Sequence, residues 1–594
     1  MENRFADFLT DYREQLISAG KELDKKELPR LTEELFSEYA RTGKRLNYEN
    51  AYFMRRRFLT VYAMLSVLYG NRSDISRLET VIDAICTEEC WALPAHVDTG
   101  ERGWRETVDL FAAETAFSLA EIIRLLEDKL SASVREKARG EVFRRVLDPF
   151  MRSRSPCAWW ETADMNWCAV CCGSIGAAAI WLMESGGREL DGLLNRINSS
   201  ILNYLDGFSD DGACLEGLGY CTYGMSFFTA YADLLYRYSG GKTDLFENAR
   251  LKNIALFPQK CCLPGGVTVS FSDSRQDEKL RTGLAAYLAK QYPGVEFPDP
   301  ALAAGLESDP CCRYVVISRD YFWAERYAGT GNVSREWHTV LPDAQWSVCR
   351  SDNGCAIAAK GGHNNEPHNH NDVGSFLYVC DGEVILDDLG AGEYTRDYFG
   401  ENRYTNLCCR SLGHNVPLID GREQCAGAEY RAVGFFSDGR GMTRMDIEAA
   451  YGLEDGEKIT RQLLFDKTSG VCTVTDSFSL REHRMVTENL ITSHRPVLEG
   501  SGFWIETGKR RFRIEITNGR AFAIREKTYA DHHGVLKKVW LMQWTAAGER
   551  TEMAIGQSGV DSPAPQQPQF SGSAPSSTGC SSSSRGIQGR KVFQ

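Results

Sequence analysis

Residues 361–390 read GGHNNEPHNHNDVGSFLYVCDGEVILDDLG, and they decide the fold class of the second half of the chain. Two apolar runs flank the dipeptide Asp381-Gly382. An Asp-Gly pair between such runs is a strong signal for a β-hairpin. Short β-branched runs separated by Gly, Asp and Asn continue from about Tyr314 onward. We therefore predict an antiparallel β-sandwich over residues 316–555.

Upstream of Tyr314 the sequence has helical periodicity instead. In LAEIIRLLEDKL, residues 119–130, the apolar positions form one stripe along a helix. Similar stretches recur, and 594 residues exceed what one hydrophobic core usually supports. Residues 1–315 are therefore predicted to form paired helices, arranged as a bundle or a toroid.

The last segment, residues 556–594, differs from both halves. It is rich in Ser, Pro, Gly and Gln and loses the alternation of the preceding strands. Such a composition cannot bury enough apolar surface to fold. We predict a disordered or aberrant tail.

Charge and hydropathy exclude several partners. The net charge of −13 argues against a nucleic-acid ligand, which a broadly basic surface attracts. The most apolar window, residues 168–183, is interrupted by Gly and Ser and is shorter than the roughly 20 residues of a membrane span. It is typical of a buried helix. The sequence leaves a homo-oligomer open.

The N-terminus and the cysteines bear on location. MENRFADFLTDYREQL carries charged residues from Glu2 onward and is not a secretory signal, so we expect a cytoplasmic protein. The 20 cysteines are then expected to be reduced, buried thiols. Cys168 and Cys171 form a CxxC, which is also typical of a redox pair or half a zinc site, but no second pair accompanies it.

His368, His370 and Asp372 alternate with asparagines in residues 361–379. In an extended strand every second side chain shares a face, so these three are predicted to project together. Imidazole and carboxylate can bind a divalent metal, zinc above all, or supply a base. Further ligands are expected from His414 and from Asp387 or Asp388. The alternative is a polar turn region without a site.

The helical half contains two candidate segments. In residues 157–167, tryptophans surround Asn166, and aromatic faces can stack on sugar rings while an amide can bind a carboxylate. Each tryptophan taken alone is also typical of core packing. In residues 210–224, DDGACLEGLGYCTYG, Glu216, Tyr220 and Tyr223 are candidates for acid or base chemistry or for packing.

The segments NNEPHNHNDVGSFLYVCDGEVILDDLGAGEYT, HNVPLIDG, MNW and DGACLEGLGYCTY resemble the heparinase II/III-like polysaccharide lyases. The resemblance covers most of the chain and is strongest from 355 to 425. It implies an incomplete (α/α) toroid followed by a β-sandwich, with sugar bound in the cleft between them. It also implies a carbon-oxygen lyase that cleaves glycosaminoglycan-like or alginate-like chains by β-elimination and leaves 4,5-unsaturated uronate ends.

The resemblance assigns roles to individual residues. Asn166 neutralises the uronate carboxylate, and Tyr220 or Tyr223 is the catalytic tyrosine. His368 is a catalytic base or neutraliser. Some relatives have a histidine directly after the asparagine, where this chain has Trp167. A structural divalent metal, expected to be zinc, is held by His370, Asp388 and His414.

The acidic oligosaccharide substrate has predicted contacts of its own, and because the chain is acidic its site must be locally basic. The predicted substrate-binding residues are Trp159, Trp160, Trp167, Glu216, Asn369, Tyr398, Arg403 and Tyr404.

Two other functions compete with the lyase. A glycoside hydrolase needs two carboxylates about 5 to 10 Å apart, for which Glu216 with Asp210 or Asp211 are candidates. The second is a non-catalytic carbohydrate-binding protein. The hydrolase leaves the histidine cluster unexplained.

Overall fold

The computed structural model describes residues 2–156, 158–327, 337–481 and 483–557. Its first half is helical. The helices are α1 Glu2–Leu23, α2 Glu33–Thr42, α3 Leu46–Leu68, α4 Arg72–Cys86, α5 Leu110–Leu125, α6 Ala132–Val142, α7 Asp148–Arg152, α8 Asn166–Leu182, α9 Arg188–Ser200, α10 Asn203–Asp206, α11 Leu218–Tyr238, α12 Leu251–Lys260, α13 Thr282–Gln291 and α14 Tyr314–Tyr327. Because α14 runs to Tyr327, the helical domain continues past the predicted boundary at residue 315.

The second half, the sandwich domain, is built of antiparallel strands. They are β1 His338–Leu341, β2 Trp346–Arg350, β3 Cys355–Lys360, β4 His363–Asn364, β5 Phe376–Cys380, β6 Glu383–Leu386, β7 Leu418–Ile419, β8 Gly427–Arg431, β9 Val433–Ser437, β10 Met442–Asp446, β11 Lys458–Phe465, β12 Cys472–Ser479, β13 Val486–Thr492, β14 Val497–Glu499, β15 Gly502–Glu506, β16 Arg511–Thr517, β17 Gly519–Ala530, β18 Leu536–Ala546 and β19 Arg550–Gln557.

Four sheets make up this domain. Their strand orders are β1-β2-β3-β5-β6, β14-β15-β16-β19-β12-β11-β10-β9, β17-β18-β13-β7 and β4-β8. The helix-then-strand order and the antiparallel sandwich agree with the prediction. Of the predicted tail, residues 558–594 lie outside the described residues, and Gln557 ends β19.

The inner strands β2, β3 and β5 of the five-stranded sheet β1-β2-β3-β5-β6 are buried on both faces. In β3, Ala356 and Ala358 belong to the core of the helical domain, whereas Ile357 faces the core of the sandwich. In β5, Leu377 likewise belongs to the core of the helical domain, and Tyr378 belongs to the core of the sandwich. Since successive side chains of a strand point to opposite faces, one sheet serves both cores. This accounts for the uniform burial of β2, β3 and β5.

The apolar window at residues 168–183 is the buried helix α8, as predicted. Gly173 and Gly176 let it pack closely on α11. A Cβ atom at Gly176 would lie 2.4 Å from a ring carbon of Tyr231, so no larger residue fits at this position without movement. Among the described residues, no helix is both long and apolar enough to cross a membrane.

The cysteines agree with the prediction except at one pair. Among the described residues, the adjacent cysteines are thiols, and so are Cys168 and Cys171, which are buried in α8; the adjacent pairs are Cys171-Cys172, Cys261-Cys262, Cys311-Cys312 and Cys408-Cys409. Cys355 and Cys380, however, form a disulfide with a Cα–Cα distance of 3.9 Å. The reason lies in strand register: β3 and β5 pair Cys355 directly with Cys380, a proximity that sequence spacing alone does not give.

The hairpin predicted at Asp381-Gly382 is confirmed, since β5 and β6 pair across it. Both turn residues have positive φ, 48° at Asp381 and 82° at Gly382, as a type I′ turn requires. The turn also touches the helical domain. A Cβ atom at Gly382 would lie 2.7 Å from the carbonyl oxygen of Gly265. The two backbones therefore meet at a contact between the domains.

We expect Gly382→Ala to destabilise the protein more than Gly439→Ala. Gly439 also has positive φ, 68°, but open space around it, so its alanine variant carries only the strain of the left-handed conformation, about 1 to 2 kcal/mol. Gly382→Ala adds the collision with Gly265, which costs about 1 to 3 kcal/mol more. Thermal unfolding followed by circular dichroism measures both, and equal decreases in Tm would contradict the close interdomain contact.

Candidate active site between the two domains

The segment that presents His368 is a loop. The strand predicted there is confined to β4, and residues 365–375 connect it irregularly to β5. His368 has φ of 56°, in the left-handed region that non-glycine residues rarely adopt. The predicted alternation along one strand face is therefore wrong. Such strain persists only where the surroundings fix the conformation, which is common at active sites.

A buried ion-pair cluster fixes this loop. Lys360 Nζ lies 3.1 Å from Glu366 Oε2 and 3.0 Å from Asp372 Oδ1, and all three side chains are buried. Burial alone would lower the pKa of Lys360, but the two carboxylates outweigh it and raise the pKa. Asp372 is thus engaged with Lys360 and does not share a face with the two histidines. A buried charge without such partners would be strongly destabilising.

Asp273, between α12 and α13 of the helical domain, is the centre of the site. His368 Nδ1 lies 2.6 Å from its Oδ2, and His370 Nε2 lies 3.0 Å from its Oδ1. Tyr394 donates to Oδ2 at 3.0 Å, and Tyr398 donates to Oδ1. Burial would raise the pKa of Asp273, but the nearby guanidinium and the imidazole hydrogen bonds hold it well below its usual value. Asp273 is therefore an anion that accepts from the sandwich domain.

His368 presents its other nitrogen, Nε2, to Glu216. Because a carboxylate only accepts, the hydrogen bond to Asp273 places the proton of a neutral imidazole on Nδ1 and leaves a lone pair on Nε2. Nε2 lies 3.6 Å from Glu216 Oε2. The ring stacks on Tyr220, with centroids 4.3 Å apart. The side chain is therefore oriented to accept a proton at Nε2.

The structure separates the two candidate tyrosines. Tyr220 contacts His368, and its hydroxyl lies 2.6 Å from the hydroxyl of Tyr394. Tyr223 instead donates to Glu114 and lies under the guanidinium of Arg313, 4.1 Å from its ring centroid. Burial raises the pKa of both phenols. Only Tyr220 belongs to the histidine cluster.

Asn166 is the first residue of α8 and is 1% exposed. Neither its amide oxygen nor its amide nitrogen has a hydrogen-bond partner in the described structure. Its backbone N–H lies 3.5 Å from Glu216 Oε1, which connects it to the carboxylate beside His368. A buried amide without partners is costly, and a helix N-terminus favours anions. The position therefore suits a carboxylate ligand.

The three tryptophans differ in exposure. Trp159 is 47% exposed, and its ring lies 4.9 Å from that of the partly buried Trp167. Trp160 is 1% exposed and donates its indole N–H to the carbonyl of Val108. Trp160 is thus a core residue and not the exposed sugar platform that the sequence predicted, because its indole nitrogen needs that buried partner.

Four other predicted substrate contacts form a layer behind His368. Tyr398 is fully buried on Asp273, and Asn369 is buried and donates to Tyr404 at 3.0 Å. Arg403 donates to the carbonyls of Asn369 and Tyr398. Apart from Nη2 of Arg403, which lies 3.6 Å from Asp273 without a hydrogen bond, these polar groups are engaged within the protein, so their evident role is to hold the loop.

The three predicted metal ligands come together. Donor atoms of His370, Asp388 and His414 lie within 4.8 Å of one another, and all three residues are buried. His370 Nδ1, Asp388 Oδ2 and His414 Nδ1 each lack a hydrogen-bond partner in the described structure. The opposite nitrogen of His414 lies 2.8 Å from the carbonyl of Cys408, and that of His370 contacts Asp273. Two imidazoles, each oriented by a contact of its opposite nitrogen, and a carboxylate fit a divalent metal such as zinc.

A cavity of about 190 Å³ opens beside Tyr220 and Tyr394. Its charged lining contains both signs, with basic residues in a small majority, and a locally basic site is the expectation from the sequence. The cations are Arg275, Lys279, Arg281 and Arg313, and the anions are Asp273, Glu278 and Asp309. The cavity therefore adjoins the histidine cluster on the side of the helical domain.

Sequence reasoning missed Asp273, Tyr394 and Lys360. Asp273 stands in the segment VTVSFSDS, residues 267–274. Ser270, Ser272 and Ser274 of this segment are buried. A lone carboxylate in a run of small and apolar residues is rarely buried without a partner, so its place in this run is the sequence signal that could have identified Asp273.

No family model and no curated protein matches the chain. Solved structures do match. Heparinase III is similar with a TM-score of 0.63 and 12% identity, over 93% of this chain and 91% of that one. A heparan sulfate lyase HepC mutant from Pedobacter heparinus gives 0.58 and 14%, over 85% and 76%. A Paenibacillus xanthan lyase gives 0.51 and 10%, over 86% and 54%.

These similarities extend over both halves of the described chain, so they concern the order of the two domains as well as each domain. At this level of identity they establish the architecture. The chain therefore has the fold of the heparinase III-like polysaccharide lyases, an (α/α) toroid followed by a β-sandwich.

Proposed function

We propose that this protein is a polysaccharide lyase that cleaves uronic-acid-containing glycans by β-elimination. The observation that carries the proposal is the buried, unpartnered amide of Asn166. The backbone N–H of the same residue is connected through Glu216 to the His368 and Tyr220 pair. A carboxylate binder beside a proton acceptor and a phenol is the set of groups that uronate elimination requires.

The difficult step is removal of the C5 proton next to the uronate carboxylate. Negative charge moves onto that carboxylate as the proton leaves, so donors aimed at it stabilise the transition state more than the ground state. The amide of Asn166 and the N-terminus of α8 supply such donors. Burial raises the pKa of Glu216, and a substrate carboxylate nearby would raise it further, so that its protonated form can donate too.

His368 and Tyr220 each carry out one of the two proton transfers. His368 Nε2 is unprotonated in the neutral imidazole and accepts the C5 proton. Burial and the negative charge of Asp273 raise the pKa of Tyr220, which keeps the phenol protonated. Tyr220 therefore acts as the acid that protonates the departing 4-oxygen, and Tyr394, 2.6 Å away, can return a proton to it.

The substrate proposed is an acidic oligosaccharide, glycosaminoglycan-like or alginate-like. Trp159 and Trp167 offer ring faces near Asn166. The cations of the cavity beside Tyr220 offer charge to an acidic chain. A cytoplasmic location, also part of the proposal, favours imported oligosaccharides as substrates.

The hydrolase alternative loses its nominated pair of carboxylates. The Asp211 carboxylate accepts from the backbone N–H groups of Asp343 and Ala344. Asp210 has an 84% exposed side chain and pairs with Arg250. Glu216 instead lies beside the histidine cluster, so neither aspartate flanks a common cleft position with it.

We also propose that His370, Asp388 and His414 hold a zinc ion. When bound, the ion stabilises charge on its ligands and fixes the loop that carries His368. Three protein ligands are one fewer than a closed zinc site has.

The function is tested by product absorbance at about 232 nm during incubation with a panel of uronate oligosaccharides. We expect absorbance to rise, and kcat to fall on the order of 10³-fold in His368→Ala, because general base catalysis contributes about 10² to 10⁴. His483→Ala, at an exposed histidine, is the control. Reducing ends released without absorbance would instead establish a hydrolase.

Tyr220→Phe and Tyr223→Phe form a matched pair on α11. Each removes one hydroxyl, but only Tyr220 contacts His368. We expect kcat to fall at least 10²-fold in Tyr220→Phe, the usual contribution of a general acid, and less than about tenfold in Tyr223→Phe. The reverse order, measured by the same absorbance assay, would place the acid at Tyr223.

Zinc binding is expected to stabilise the protein. At a zinc concentration about 100-fold above Kd, binding adds about 3 kcal/mol to the free energy of unfolding. A chelator should therefore lower the Tm of the wild type but not that of His414→Ala, which should contain no zinc by elemental analysis. Equal zinc content in the two proteins would refute the assignment of this ligand.

A further inference from the structure

The hydrogen bonds of Asp273 have a regular arrangement. Each carboxylate oxygen accepts from one imidazole and one phenol: Oδ1 from His370 and Tyr398, and Oδ2 from His368 and Tyr394. The side chain itself is fully removed from solvent. One acceptor group thus serves four donors of the sandwich domain.

The two imidazoles use opposite nitrogens. His370 presents Nε2 to Asp273, which leaves Nδ1 facing Asp388 and His414. His368 presents Nδ1, which leaves Nε2 facing Glu216. A carboxylate can only accept, so it requires a proton on Nε2 of His370 and on Nδ1 of His368. The two histidines are thereby held in opposite tautomers.

We propose that Asp273 is a positioning residue that fixes both tautomers at once and so couples the metal ligands to His368 across the domain boundary. The part that concerns His368 rests on the proposed function, since it assumes that Nε2 accepts the substrate proton. The part that concerns His370 does not. A metal ligand oriented by a carboxylate from behind is a common second layer of metal sites.

No other group in the described chain can replace Asp273. His368 Nδ1 has no second hydrogen-bond partner there, and its remaining neighbours are the rings of Tyr220, Tyr394 and Phe399. Glu216 lies on the Nε2 side, at 3.6 Å. His370 Nε2 likewise contacts Asp273 alone. Both ring orientations therefore depend on this carboxylate.

Asp273→Asn should affect the two histidine tautomers differently, and it hardly changes the volume of the side chain. An amide has one acceptor oxygen, so it can keep one histidine correct and must donate to the other. When zinc is bound, His370 needs its proton on Nε2, which draws the amide oxygen to that side. The amide nitrogen then faces His368 Nδ1 and forces its proton onto Nε2, where the proton acceptor should be.

The test compares wild type, Asp273→Asn and the control Asp233→Asn. Asp233 is also a buried carboxylate that accepts from a phenol, Tyr287 at 3.1 Å, and its position on α11 is about 20 Å from Tyr220 along the helix. Zinc affinity is measured by competition with a chromophoric chelator. Values of kcat and KM are measured at saturating zinc, and Tm reports folding.

We expect Asp273→Asn to bind zinc about 10- to 100-fold more weakly, the usual effect of losing a second-layer carboxylate. At saturating zinc its kcat should fall on the order of 10³-fold, with KM within about threefold, as when a wrong tautomer is imposed on a catalytic histidine. Asp233→Asn should lower Tm and leave zinc affinity and kcat unchanged. A change in only one of the two quantities for Asp273→Asn, or in neither, overturns the coupling.

Further measurements test the proposal even if Asp273→Asn does not fold or no substrate is cleaved. If Asp273→Asn does not fold, ¹⁵N-histidine NMR of the zinc-loaded wild type determines the tautomer of His368. The His368 signal is assigned by its loss in His368→Gln. A proton on Nε2 of His368 refutes the proposal. If no uronate glycan is ever cleaved, the proposed function fails, while zinc affinity and the NMR spectrum still judge the role of Asp273 independently.

Discussion

A carboxylate taken out of water costs several kcal/mol unless donors replace the lost solvent, and at Asp273 every such donor comes from the other domain. Asp273 belongs to the helical domain, whereas His368, His370, Tyr394 and Tyr398 belong to the sandwich. Neither domain can therefore complete this site alone. The electrostatic requirement of one buried charge brings together the cleft, the loop of His368 and the metal ligands.

The charged residues behind the His368 loop also depend on oppositely charged partners. Lys360 forms ion pairs with both Glu366 and Asp372 under the loop, and Arg403 supplies a positive charge 3.6 Å from Asp273. The loop is thus held by charges that cannot be left unpaired, and not by regular strand pairing. That arrangement allows His368 to keep a left-handed backbone, which a β-ladder would not permit.

The sequence predicts the architecture and much of the site for physical reasons that are local. Helical periodicity identifies α5 and α8, and the Asp381-Gly382 turn identifies β5 and β6. The predicted metal ligands follow from resemblance and spacing, since His370 and His414 are in a short stretch of chain. What escapes prediction is long-range: Asp273 is far from its partners in sequence, and the choice between Tyr220 and Tyr223 depends on which face of α11 meets the sandwich.

Two further misses have the same cause. The disulfide between Cys355 and Cys380 depends on the register of β3 and β5, and the burial of Trp160 depends on the position of Val108. Composition describes what a residue prefers. Only the tertiary arrangement decides which partner it meets.

The sheet β1-β2-β3-β5-β6 limits how such a protein can be altered by recombination. Its two faces belong to different cores, so the seam between the domains is a layer of interlocking side chains and not a linker. A sandwich grafted from another protein of this fold would bring its own face to the foreign helices and leave methyl-sized gaps or collisions along the whole seam. Toroid and sandwich should therefore be inherited together, with variation concentrated in loops at the cleft and not in exchange of domains.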